Sequence, residues 1–171
     1  MSEIVIRRAV IDDAALILKF IKDLALYEKA AHEVLATEDH IKNSLFSTQS
    51  TAHALICEKK THAVGFAVYF FNYSTWLGKH GLYLEDLFVT PSERGSGVGK
   101  ILFKHLAQIA VQHGCGRFEW SVLDWNVSAI NFYESVGAKP LKEWIIYRLS
   151  GQELLNFAES NYTSRQKPES S

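Results

Sequence analysis

Between residues 89 and 100 the chain reads Val-Thr-Pro-Ser-Glu-Arg-Gly-Ser-Gly-Val-Gly-Lys, with three glycines at alternate positions ahead of a periodic apolar stretch. Small residues at a helix start let successive backbone N–H groups converge on one concavity, at the positive end of the helix dipole. The ligand this suits is a phosphate or diphosphate, with Lys100 adding positive charge beside it. Two common phosphate motifs do not fit. A P-loop needs glycine where Arg94 stands and Ser or Thr where Ile101 stands. The dinucleotide pattern G-x-G-x-x-G, begun at Gly95, needs its last glycine at Lys100, and it falls late in the chain rather than in an initial βαβ unit. The seven histidines show neither HExxH nor clustered spacing, so no metal is expected. Cys57 and Cys115 form no CxxC pair, and Cys115 lacks the context of a nucleophile.

The elements that must position this turn follow from periodicity and capping. Residues 3–9 read as a first strand. Asp12 caps a helix running to about residue 29, with Ile17, Ile21, Leu24 and Ala25 at helical spacing, and Thr37 caps a shorter one carrying Ile41 and Leu45. Residues 51–57, 63–73 and 81–90 are rich in Val, Phe, Tyr and Leu and predict three consecutive strands in an antiparallel meander. After the glycine turn, Val98, Leu102, Leu106 and Ile109 predict a helix over 98–113, ended by Gly114 and Gly116. A strand over 117–123, a helix over 126–136 stopped by Gly137, and a last strand over 144–149 follow. Ser150 and Glu153 form a capping box for a final helix to about residue 158. The polar residues 160–171 are expected to be a disordered tail behind a single domain over 1–159. The order β-α-α-βββ-α-β-α-β-α indicates an α/β fold: a mixed, largely antiparallel sheet flanked by helices on both faces.

The 171 residues suffice for one domain with a full core. Eighteen Lys and Arg against nineteen Asp and Glu give a formal charge of −1, which argues against partners recruited by charge, such as nucleic acid or a membrane surface. No apolar run approaches the length of a spanning helix, and the N-terminus has no apolar signal core. With two unframed cysteines, a cytoplasmic location is the simplest expectation, and the sequons at Asn72, Asn126 and Asn161 are then chance.

The pattern Arg-Gly-x-Gly-Val-Gly resembles the coenzyme A diphosphate signature of the GNAT acetyltransferases. Further blocks extend the likeness over residues 3–158: Tyr27-Glu28, Trp76-Leu77-Gly78-Lys79, Tyr83-Leu84-Glu85-Asp86-Leu87-Phe88-Val89, Trp125-Asn126 and Ser128-Ala129-Ile130-Asn131-Phe132-Tyr133. Together they are similar to the branch of spermidine/spermine and thialysine N-acetyltransferases. The resemblance implies acetyl-CoA as co-substrate, held by the backbone of Leu87, Phe88 and Val89 along its pantetheine arm and by Arg94, Gly95, Ser96, Gly97, Val98, Gly99 and Lys100 at its diphosphate. It assigns further contacts with the arm to Asn126, Ser128 and Ala129.

Acyl transfer to an amine also needs an uncharged nucleophile and a proton for the departing thiolate. By the same resemblance Tyr133, seven positions after Asn126, is the candidate general acid, and Glu85 is the substrate carboxylate and candidate base, direct or through water. Strand alternation turns Asp86 to the opposite face unless a bulge intervenes. Tyr27, Glu28, Trp76, Asp86, Glu119 and Glu143 are the remaining candidates for holding a cationic amine. Ser74 and Lys29-Ala30-Ala31-His32 stand where polyamine enzymes carry acids, so a shorter diamine or lysine-like amine stays open beside a polyamine. The resemblance also implies a homodimer. Acetylation of protein lysines or N-termini, and a coenzyme A-binding regulator without turnover, are the competing readings.

Overall fold

A computed structural model describes residues 4–160 of the chain, and of the tail expected over 160–171 all but residue 160 lies outside them. The described residues divide into two compact units, one ending at Leu123 and the other beginning at Asp124.

The first unit is built on five strands in the order β1-β2-β3-β4-β5. They are β1 (Ile4–Arg8), β2 (Ala52–Lys59), β3 (His62–Ser74), β4 (Lys79–Val89) and β5 (Arg117–Trp120). The first four pair antiparallel, so the expected meander is present, and β5 joins β4 in parallel. Its helices are α1 (Ala14–Tyr27), α2 (Glu38–Leu45) and α3 (Val98–Gln112).

Helices cover both sheet faces because each strand alternates two apolar sets. On one side Ala14, Ile17 and Phe20 of α1 and Ile41 of α2 pack with Ala54, Ile56, Phe66 and Phe88. Phe20 stacks on Phe66, with ring centroids 5.5 Å apart. On the other side α3 buries Val98, Leu102 and Leu106, and its Phe103 meets Phe118 and Trp120 of β5, each at 4.9 Å.

Thr37 caps α2 as expected, its hydroxyl accepting from the His40 N–H at 3.1 Å. The start of α1 differs from the expectation. Ile11–Asp13 form a single 3-10 turn, and Asp13 rather than Asp12 stands at the junction. The Asp13 carboxylate accepts from the Val10 N–H at 2.8 Å and takes both guanidinium nitrogens of Arg7, at 2.7 and 2.9 Å. A charged fork from β1 outbids a lone cap, because charge-assisted bidentate bonds are the stronger ones.

The second unit holds α4 (Val127–Ser135) and α5 (Gly151–Glu159). Asn126 caps α4, its side-chain oxygen accepting from the Ala129 N–H at 3.3 Å, and Gly137 ends the helix at a φ of 91°. The strand expected over 144–149 is not formed: the sheet's ladders contain none of these residues, and Ile145, Ile146 and Tyr147 are exposed. A β-favouring run becomes a strand only when a neighbouring backbone pairs with it. The strand expected over 117–123 likewise stops at Trp120, where its pairing with β4 ends.

Candidate functional site

The glycine turn lies between β4 and α3, as its sequence demands. Pro91–Glu93 form a 3-10 turn, and the chain then passes Gly95 at φ 76° and Gly97 at φ 90° to enter the helix. A Cβ on either glycine would meet nothing within 4 Å, so glycine is required there by backbone conformation, not by space. The first bond of α3 runs from the Ile101 N–H to the Gly97 carbonyl at 3.1 Å. The first-turn amides of Val98, Gly99 and Lys100 therefore have no acceptor within their own helix. They point out of the helix start as donors for an anion.

Glu93 at the head of the turn is held by the Lys59 ammonium at 2.6 Å, and the Ser96 hydroxyl donates to the Glu93 carbonyl at 2.6 Å. Lys59 pulls the Glu93 carboxyl below its usual pKa. This acid beside the helix-start amides is thus paired with a cation.

β4 supplies the rest. Its parallel pairing with β5 runs from Gly81 opposite Arg117 to Leu84 opposite Trp120 and goes no further. From Asp86 to Val89 the strand pairs with β3 on one edge, and β5 does not follow it on the other. A ladder edge of free N–H and C=O groups is what an extended arm with amide groups can pair with. This edge leads directly into the anion-binding turn.

The step between β3 and β4 contains a bulge. Val68 stands opposite Asp86 and Tyr69 opposite Leu84, leaving Glu85 without a partner. The extra residue resets alternation, so Asp86 stays on the α1 side of the sheet with Val68 and Phe88. The exception allowed for Asp86 is therefore the case found. Burial, then the neighbouring charges of Glu85 and Glu28, lift the Asp86 carboxyl to about 6. Glu28 caps the C-terminus of α1, and burial raises its carboxyl too. Three carboxylates from two elements thus share one locality beside the open β4 edge.

The other sequence candidates are placed as follows. Tyr27 is the last residue of α1, and its ring lies under the Arg94 guanidinium. Trp76 sits in the β3–β4 connection and is exposed, while the Ser74 hydroxyl accepts from the Leu77 N–H in that turn at 3.3 Å. Glu119 in β5 is committed within the sheet: Arg117 lies 2.8 Å away, and the Asn72 amide donates to it at 3.1 Å. Tyr133 and Asn126 belong to α4, Ser128 and Ala129 to its first turn, and Glu143 is exposed between α4 and α5. Burial holds the Tyr133 phenol above its usual pKa. Among the described residues no group of three or more His, Cys, Asp or Glu is arranged to hold a metal ion, and no helix is long and apolar enough to cross a membrane.

Sequence reasoning did not find what the Arg94 side chain does. Arg94 stands in the turn that the resemblance gives to the diphosphate, and its Nε donates to the Val89 carbonyl at 3.0 Å. Tyr27 and Arg94 are 67 positions apart, and no local pattern signals that contact.

Known proteins share these features. A family model described as the acetyltransferase (GNAT) family matches residues 19–138. The thialysine N-epsilon-acetyltransferase of Sus scrofa is 35% identical over 169 residues, covering 92% of this chain and 99% of that protein. The L-ornithine N5-acetyltransferase of Arabidopsis thaliana is 34% identical, covering 87% of this chain and 85% of that protein. Among solved structures, an integron cassette protein from the mobile metagenome of V. cholerae superposes with a TM-score of 0.79 at 30% identity, covering 94% of this chain and 99% of its own. An anion-binding glycine turn, the open edge of β4 and these likenesses lead to one conclusion: the chain belongs to the GNAT family of acetyltransferases.

Proposed function

We propose that this protein transfers the acetyl group of acetyl-CoA to the primary amine of a small cationic acceptor, a diamine, polyamine or lysine-like molecule, by direct attack in a ternary complex. The observation that carries the acceptor class is the grouping of Glu28, Glu85 and Asp86 beside the open stretch of β4. Relatives that act on thialysine and on L-ornithine support a small amine with a short side chain. The residues suit acetyl-CoA on two counts. The amides at the start of α3 fit a diphosphate, and the Glu85–Val89 edge fits a pantetheine arm.

In this reading the backbone of Leu87 to Val89 fixes the thioester, and an N–H of the same segment donates to the oxygen on which negative charge develops. The acceptor arrives as an ammonium of pKa near ~10.4 and is drawn in by the carboxylates. Glu85, the exposed member of the three, takes the excess proton directly or through water, while Asp86 and Glu28 hold the positive charge in place. Tyr133 is assigned the proton for the departing thiolate. Its raised pKa keeps the phenol protonated at neutral pH.

The test is thiol release from acetyl-CoA by the purified protein, across a panel of diamines, polyamines, ornithine and lysine analogues. Amine-dependent release supports the reading. Tight coenzyme A binding with no release for any amine would leave a regulator, and release only with peptides would leave a protein acetyltransferase.

A further inference from the structure

Arg94 occupies the position in the glycine turn that the sequence pattern gives to the diphosphate, yet its side chain folds back. Its Nε is spent on the carbonyl of Val89, the last residue of β4. The guanidinium carbon lies 4.4 Å from the ring centroid of Tyr27 and 5.4 Å from that of Phe88. Tyr27 is the last residue of α1, and Glu28 follows it. Phe88 lies two residues beyond Asp86 on the same face of β4. One side chain therefore touches the ends of both elements that carry the acidic group.

We infer that Arg94 is a positioning residue for the amine acceptor: by bridging Tyr27, Phe88 and the Val89 carbonyl, it fixes Glu28 of α1 relative to Asp86 of β4. The inference deepens the proposed acetyl transfer and rests on it. The chemistry of the guanidinium explains the choice of residue. A planar cation can lie against aromatic rings while donating from its edge, whereas a lysine ammonium is a point charge that cannot do both. The need for a tie is local. Lys29 leaves the helix at a φ of 61°, so Tyr27 is the last ring α1 presents before the chain turns away. The end of α1 is closed by its own backbone, the Ala30 N–H donating to the Ala25 carbonyl at 2.8 Å, so the Arg94 contact acts on a capped end and sets where Glu28 lies against β4.

The experiment compares wild type, Arg94→Lys, Tyr27→Leu and the double variant. Coenzyme A itself is the probe for calorimetric Kd, and the best amine found for the wild type is the probe for KM. The geometry predicts that Arg94→Lys, which keeps the positive charge, raises the amine KM about 5- to 50-fold, the span of one lost cation–π contact and one hydrogen bond. The coenzyme A Kd should rise by a smaller factor than the amine KM. Tyr27→Leu should reproduce the rise in KM, and the double variant should add little to either single one, because both remove the same contact. Both constants are measured at a temperature where thermal melts show every variant fully folded, so a variant that is merely less stable moves neither. The inference is overturned if Arg94→Lys weakens coenzyme A more than it raises the amine KM, or if the two substitutions act independently. Failure of the underlying reading looks different, because the wild type itself would then show no amine-dependent turnover.

Discussion

Replacing Asp86 by asparagine should make the protein more stable and a poorer enzyme, with both effects governed by one titration. Asp86 is half-buried, and Glu85 and Glu28 stand close enough to oppose its ionisation, which lifts its carboxyl from 3.8 to about 6. Below about pH 4 the group is protonated in folded and unfolded chains alike, and its burial carries no charge penalty. Between about 4 and 6 the unfolded chain gives up the proton while the folded chain keeps it, so stability falls with rising pH by up to ~1.4 kcal/mol per unit. Above about 6 both forms are ionised and the penalty is constant at up to about 3 kcal/mol. An asparagine of the same shape carries no charge, so Asp86→Asn should gain roughly 1–3 kcal/mol over wild type at pH 8 and almost nothing at pH 4. Urea unfolding at the two pH values measures the difference directly. The amine sees the reverse. Its ammonium binds the ionised carboxylate, so the wild-type amine KM should climb as pH falls through about 6, by up to about tenfold per unit, whereas Asp86→Asn should be high at every pH and flat. The reasoning fails if the variant is no more stable than wild type at pH 8, or if the stability gap is equal at pH 4 and 8.

Tyr133→Phe should lower kcat by roughly 10- to 10⁴-fold in single-turnover assays while leaving the coenzyme A Kd in place. Gly97→Ala places a Cβ at a φ of 90° with no steric neighbour, so calorimetry and thermal melts should show a purely conformational loss of about 1–2 kcal/mol in stability, with weaker coenzyme A binding. Asp13→Asn should cost about 1–3 kcal/mol at pH 7, because Arg7 then keeps Glu58 but loses the bidentate one of its two carboxylate partners. The Arg7 hydrogen bonds hold the Asp13 pKa below its usual value, so this contribution is present above about pH 4. As pH falls through the depressed folded pKa, wild type and variant should converge in urea titrations.

What the sequence made legible was local. Thr37 and Gly137 act at helix ends within reach of their own neighbours, and the capping rules found them. The meander was visible because each of its strands alternates and the turns between them are short. Contacts between distant segments were not visible. Whether Asp12 or Asp13 begins α1 depends on Arg7, which also reaches Glu58, 51 positions away. The run over 144–149 has the side chains of a strand, but pairing belongs to the partner backbone, and β-propensity carries no information about it. Arg94 was visible through its motif, but the rings that hold its side chain were not, because they come from α1 and β4.

The bulge at Glu85 shows why one irregular residue can organise both halves of the proposed reaction. In a regular strand Glu85 and Asp86 would point to opposite faces, and one of the two would be lost among the side chains under α3. The extra residue returns Asp86 to the α1 side, where Glu28 lies, and it falls just after the point where β5 stops following β4. Acidic side chains for the amine and an open backbone edge for the acyl donor therefore come from the same five residues. β3 accommodates the stretch with a glycine. A Cβ on Gly65, which pairs with Val89, would sit 2.6 Å from the Phe88 carbonyl, so any larger residue would push on the segment proposed to hold the thioester. The strand is open on the β5 side and closely supported by β3 on the other. That combination lets a flexible substrate arm be held against a fixed backbone.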